Sequence, residues 1–133
     1  MGFDVWMRHF KQGGLFVIVG LAQLTVDTGV FISITALGVP VAPANIVGRI
    51  SGASLGFWLN GRYTFADQGQ PRVSPRHLRR FAIAWTLLTC VSTLIMNALS
   101  AHFDLHKVWS LKPVVELVIA AIGFVVWRQW VYR

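Results

Sequence analysis

Four apolar runs, at about 14–37, 41–59, 81–101 and 108–126, consume nearly the whole chain. Each is close to the ~20 residues that a helix rising about 1.5 Å per residue needs to cross a ~30 Å hydrocarbon core. The sequence therefore predicts an all-α integral membrane protein with four transmembrane helices, leaving no soluble domain and no room for a separate catalytic module. Composition agrees: 55% of the 133 residues are apolar and 13% are charged, against about 25% charged in an ordinary soluble domain.

Charge interrupts these runs where it is least welcome. Asp27 and Arg49 stand in the middle of the first two, roughly equally far from the turn at 38–40, and Lys112 and Glu116 stand within the fourth. A charged residue at the centre of a membrane helix costs about 2.5–3.5 kcal/mol on insertion scales, so a chain that keeps four of them is expected to use them. The first run is too long for a signal peptide and carries Asp27, which makes it a retained helix. The single cysteine, Cys90, rules out an intrachain disulfide and is expected to be a small packing residue.

Basic residues set the orientation. Arg8 and Lys11 precede the first run, Arg62, Arg72, Arg76, Arg79 and Arg80 crowd the centre, and Arg128 and Arg133 close the chain. The positive-inside rule then puts both termini and the central loop in the cytoplasm, as a multi-pass protein of the cytoplasmic (inner) membrane. The formal charge of +7 thus describes one membrane face, where most of these residues meet lipid headgroups. Nucleic acid is a poor partner for basic segments this short and this close to lipid. Within 1–12, Phe3, Trp6, Met7 and Phe10 alternate at helical spacing with Asp4, Arg8, His9 and Lys11, which predicts a short interfacial helix. The expected organisation is one membrane domain: that helix, a first helical hairpin over 14–65, a cytoplasmic loop over 66–79 rich in turn-forming residues, and a second hairpin over 80–133.

The hairpins are related. Residues 57–65, Phe-Trp-Leu-Asn-Gly-Arg-Tyr-Thr-Phe, resemble residues 124–132, Phe-Val-Val-Trp-Arg-Gln-Trp-Val-Tyr, at an offset of 67. Carried backwards, the offset pairs Gly56 with Gly123, Arg49 with Glu116, and Asn45 with Lys112, so the copies carry opposite charges at one equivalent position. Each hairpin crosses twice, which makes these parallel repeats. Helical spacing predicts four inward stripes: Gly20, Gln23 and Asp27; Asn45, Arg49, Gly52, Gly56 and Asn60; Thr86, Thr89, Thr93 and Asn97; and Lys112, Glu116, Ala120, Gly123 and Trp127. Depth suggests two ion pairs, Asp27 with Arg49 and Lys112 with Glu116.

The segments Phe16 to Leu21 and Asp27 to Phe31, the pair Ala44-Asn45, the Asn60-Gly61-Arg62-Tyr63-Thr64-Phe65 ending and its weaker closing copy resemble the GtrA-like family of small four-helix membrane proteins, over nearly the whole chain. This sequence has Gln23 where the pattern commonly has Asn, Trp127 in place of the second-copy Asn, and Gln129 in place of a basic residue. The resemblance implies movement of polyprenyl-phosphate-linked monosaccharides across the cytoplasmic membrane for cell-surface polysaccharide, and the residues themselves lead us to expect no enzymatic chemistry and no cofactor. On that reading Arg62, Arg79, Arg80 and Arg128 collect phosphate, Arg49 and Lys112 are deeper cationic stations, and Asp27 and Glu116 are their countercharges. Asn45, Asn60, Gln23 and Asn97 bond sugar hydroxyls, and Trp127 or Trp58 stacks on a ring. A homodimer is expected, because four helices barely enclose a path for a sugar.

Two other classes fit less closely. A non-transporting anchor would use the same stripes to present a polyprenyl phosphate to a glycosyltransferase partner. A small cation exporter needs an unpaired carboxylate, whereas here each carboxylate has a nearby base. Nothing resembles a nucleophile turn, and His102, Asp104 and His106 lack a fourth metal ligand.

Overall fold

The computed structural model describes residues 2–59, 75–126 and 129. It contains four helices, α1 (Gly2–Ala36), α2 (Val41–Leu59), α3 (Pro75–His102) and α4 (Leu105–Val126). Three segments are long and apolar enough to cross a membrane: Gly13–Ala36 of α1, Arg79–His102 of α3 and Leu105–Val126, which is α4. The exception is the 19-residue α2, where Asn45, Arg49 and a run of Gly and Ser dilute the Ile and Val. The expected four apolar spans are therefore three clear ones and a more polar fourth helix packed among them.

Two boundaries differ from the sequence reading. Helix α1 runs without interruption for 35 residues, so no separate interfacial helix precedes the first span. At 1.5 Å per residue it is about 52 Å long, well beyond a ~30 Å core. Phe3 and Met7 are exposed on this extension, and the side chains of Trp6, Arg8, His9, Phe10 and Lys11 lie outside the described residues. Helix α3 begins at Pro75, inside the expected loop, because proline suits a first turn whose N–H groups have no helical partner.

Short connections fix both hairpins. Gly38 adopts φ 99°, and its N–H donates to the Thr35 carbonyl at 3.0 Å while that of Val39 donates to Ile34 at 3.2 Å. These are the two closing bonds of a Schellman turn, with glycine at the left-handed position and Pro40 stopping the helix beyond it. At the other connection Asp104 caps α4, accepting from the Lys107 N–H at 3.2 Å.

Among the described residues, α1 packs on α2, α2 on α3, α3 on α4 and α4 on α1, so α2 and α4 occupy one diagonal. The arrangement is inverted relative to a soluble domain. Val17, Ile18, Leu21, Phe57, Leu94 and Leu117 are more than half exposed, whereas Asp27, Asn45, Arg49, Thr89, Ser92, Lys112 and Glu116 are buried. Apolar side chains gain nothing by leaving lipid, so helix association rests on close backbone approach and polar contacts.

The α1–α2 hairpin shows this approach. A Cβ on Gly48 would stand 2.7 Å from the Asp27 carbonyl oxygen, and one on Gly52 would stand 2.8 Å from that of Gln23. At the 67-residue offset these glycines correspond to Val115 and Ile119, both buried, and α3 and α4 approach each other less closely than α1 and α2 do. Between α1 and α3 the buried residues correspond at an offset of 65: Val19 with Ala84, Asp27 with Ser92, and Phe31 with Met96. Between equivalent positions the second hairpin is thus two residues longer, 24 from Ser92 to Glu116 against 22 from Asp27 to Arg49, although its connection is the shorter one.

Candidate functional site

The inward stripes meet in one polar cluster, at the level where the sequence placed its charges. Its hub is Lys112, fully buried. The ammonium donates to Asn45 Oδ1 at 2.6 Å and to Glu116 Oε1 at 2.8 Å, and lies 3.0 Å from Asp27 Oδ1. It also sits 5.4 Å from the Phe31 ring centroid. Arg49 pairs through Nη1 with Glu116 Oε2, donates from Nε to Thr89 Oγ1 at 2.8 Å, and rests over the Trp85 ring at 5.7 Å. Ser92 donates to Glu116 Oε1 at 2.8 Å. The Asn45 amide donates to Ser92 at 3.2 Å and to Thr93 at 2.9 Å.

The expected Asp27–Arg49 pair is absent, and the reason is angular. Successive residues of a helix turn by about 100°, and on α2 it is Gly48 that lies against Asp27, which turns Arg49 toward α3 and α4. Asp27 instead meets Lys112 from the neighbouring α4. The expected Lys112–Glu116 contact is present, as one edge of a larger network.

Two of these contacts join repeat-equivalent positions. Arg49 to Glu116 and Asn45 to Lys112 each span 67 residues in sequence and cross the α2–α4 diagonal. Equivalent residues touch one another only if both lie at the axis relating the two copies. A further pair obeys the same relation: Asp27 approaches Lys112 as its counterpart Ser92 is bonded to Asn45. The charges sum to zero, with Arg49 and Lys112 opposed by Asp27 and Glu116. That neutrality is what permits the cluster in a medium where an uncompensated charge is very costly.

Other expected residues fall elsewhere. Gln23 is half-buried, one turn from Asp27, with its side chain laid on Gly56. Asn97, Thr86, Gly20 and Ala120 are exposed, whereas Asp27, Thr89, Lys112, Glu116 and Gly123 of the same stripes are buried. The true α3 face steps through Ala84, Leu88, Ser92 and Met96. Cys90 is exposed rather than packed, since it lies away from that face. Arg79 is exposed near the start of α3, at an open groove of about 330 Å³ shared with Ala82, Ile83, Thr86 and Leu87. Arg80 is partly exposed. Asn60, Arg62, Trp127 and Arg128 lie outside the described residues.

Ser92, Thr35 and Trp85, which lies under the Arg49 guanidinium, are contact residues that the polar stripes alone do not single out. Thr35 accepts from Trp109 Nε1 at 2.9 Å, joining α1 to α4 near the short connections. His106 packs against the same Trp109 ring at a centroid distance of 5.0 Å. No group of three His, Cys, Asp or Glu side chains able to hold a metal ion occurs among the described residues.

Fold and site together define a multi-pass helical membrane protein with an apolar exterior and a charge-neutral polar centre. The chain belongs to the GtrA/DPMS transmembrane-domain family, whose model matches residues 15–132. No curated protein and no solved structure gives a significant match. Membership associates the chain with the handling of lipid-linked sugars in polysaccharide biosynthesis.

Proposed function

We propose that this protein translocates a polyprenyl-phosphate-linked monosaccharide across the cytoplasmic membrane, without enzymatic chemistry. The observation that carries the reading is the burial of two cations, Arg49 and Lys112, held by exchangeable carboxylates inside an apolar bundle. Such a cluster gains little stability over well-packed apolar side chains, so stability alone is a weak reason for it. A prenyl tail can stay in lipid throughout, whereas a phosphate and a sugar need cations and hydrogen-bonding groups along their way. Arginine suits the phosphate because its planar fork donates two parallel bonds.

In this mechanism the closed network is the resting state, with Asp27 and Glu116 occupying the places that phosphate takes. Arg79, Arg80, Arg62 and Arg128 gather the phosphate at the cytoplasmic face. Asn45 and Gln23 lie nearer the centre and receive sugar hydroxyls once the helices part, while Asn60, Asn97 and Trp127 serve the ends of the route. Both termini are cytoplasmic and all four helices cross, in two hairpins. A homodimer supplies the remaining wall of the path.

The test is reconstitution in vesicles carrying a fluorescent prenyl phosphoglucose, with a membrane-impermeant quencher reporting its leaflet. Quenching is expected to proceed to completion with the wild-type protein and to stop at the outer leaflet with Arg49→Leu. Equal transport by that variant would remove Arg49 from the mechanism.

A second reading draws on the complete burial of Lys112 and Asn45: a non-transporting partner that holds a polyprenyl phosphate for a glycosyltransferase. Capture of that enzyme with no change of leaflet in the same assay would favour it.

A further inference from the structure

The two carboxylates of the cluster are not equally bound. Glu116 has both oxygens engaged, Oε1 by Ser92 and Lys112 and Oε2 by Arg49. Asp27 Oδ1 stands 3.0 Å from the Lys112 ammonium but receives no aligned hydrogen bond, although it is buried. In the next position the buried Thr28 hydroxyl also lacks a partner. The charged group in contact with Asp27 is Lys112 from α4, with Glu116 of α4 and Arg49 of α2 the next charges beyond it, while α3 brings the hydroxyls of Thr89 and Ser92 into the cluster. Of the two acids, Asp27 therefore loses the fewest bonds on accepting a proton.

Charge counting gives that difference a use. The resting cluster is neutral, and a sugar linked to a prenyl chain through phosphate is a phosphodiester with one negative charge. Admitting it to a neutral, water-poor centre leaves an uncompensated anion, which is prohibitive in low dielectric. Adding one proton to Asp27 restores the balance: Lys112 loses its Asp27 partner, takes the phosphodiester instead, and the total stays at zero.

We infer that Asp27 is a proton-coupling site, taking up one proton for each phosphodiester that Lys112 binds and releasing it when the lipid leaves. This rests on the translocation reading above and adds an energy source, since proton and anion occupy the centre together and cross as a neutral pair. Movement is thus electroneutral and driven by the pH difference across the membrane.

The inference is tested by binding in weakly buffered detergent solution, with geranyl phosphoglucose as the probe. Its only ionisation lies far below neutrality, so any proton taken up belongs to the protein. The wild-type protein is expected to take up one proton per probe bound, and its Kd to rise about tenfold per pH unit on the alkaline side, as linkage of one proton requires. Asp27→Asn is expected to take up none and to bind with a pH-independent Kd. Asp27→Glu restores the uptake. Binding without proton uptake by the wild type, or equal uptake by Asp27→Asn, overturns the inference and leaves the ligand class standing. Failure of the wild type to bind the probe at any pH overturns the ligand class, and the inference with it. Absence of proton uptake by the wild type overturns the inference even if the Asp27 variants do not fold.

Discussion

A lysine with no exposed surface and three oxygen neighbours is sustained only while those neighbours remain. Breaking one side of a buried ion pair costs about 3–5 kcal/mol, because the other charge is left without compensation. Arg49→Leu, which leaves Lys112 as the one cation shared by Glu116 and Asp27, is expected to destabilise the protein by an amount of that order in a detergent-denaturation titration. The double variant Arg49→Leu with Glu116→Leu leaves Lys112 and Asp27 as a neutral pair and is expected to recover most of the loss while remaining inactive in transport. Stability lower than that of the single variant would mean that Arg49 and Glu116 do not act as a pair. The identity of the cluster was legible in the sequence, since five of its members are polar residues in apolar runs at matched depth. The pairing was not. Depth along a helix is counted in residues, whereas partner choice depends on how each helix is turned about its own axis, and nothing local to Arg49 says that Gly48 faces Asp27.

At the level of elements, closeness within the first hairpin is set by glycines. Gly52→Ala places a methyl carbon 2.8 Å from a carbonyl oxygen, which forces α1 and α2 apart and is expected to cost about 1–3 kcal/mol, as overpacking does. Gly29→Ala meets nothing within 4 Å and is expected to be neutral or slightly stabilising, so comparison of the two denaturation midpoints isolates the contact. At the other end of the bundle, Trp109→Phe removes the bond to Thr35 and is expected to cost about 0.5–1 kcal/mol, the usual scale for interhelical bonds in membranes. Helix positions were readable from apolar run length, and the first turn from Gly38 and Pro40. The start of α3 was not, because Ser74-Pro75 serves equally well as a loop signal and as the first turn of a helix. The threonine stripe on α3 marks the inward face only in part: Thr89 and Thr93 accept from Arg49 and Asn45, while Thr86 satisfies its hydroxyl on the Ala82 carbonyl at 2.8 Å and needs no inward partner.

For the whole molecule, α2 is the decisive helix. Alone it is too polar to stand among the clear spans, yet it lies along α1 through Gly48 and Gly52 and joins α4 through Asn45 and Arg49. If α1 crosses the bilayer, α2 crosses with it. Impermeant thiol reagents applied to intact cells are therefore expected to label cysteines introduced at 38 or 103 in a Cys90→Ala background, and to miss cysteines introduced at 4 or 133. Labelling at 4 would reverse the assigned orientation. The repeat was visible in the sequence through its offset of 67, but not that equivalent side chains touch, because similarity between two segments carries no statement about the distance between them.

That contact restricts the ancestry of the fold. Had two identical hairpins met on a shared axis, each side chain there would have faced its own twin, arginine against arginine or glutamate against glutamate, and the centre would have repelled itself. Oppositely charged twins require each half to have its own sequence, which two copies of the hairpin within one polypeptide provide.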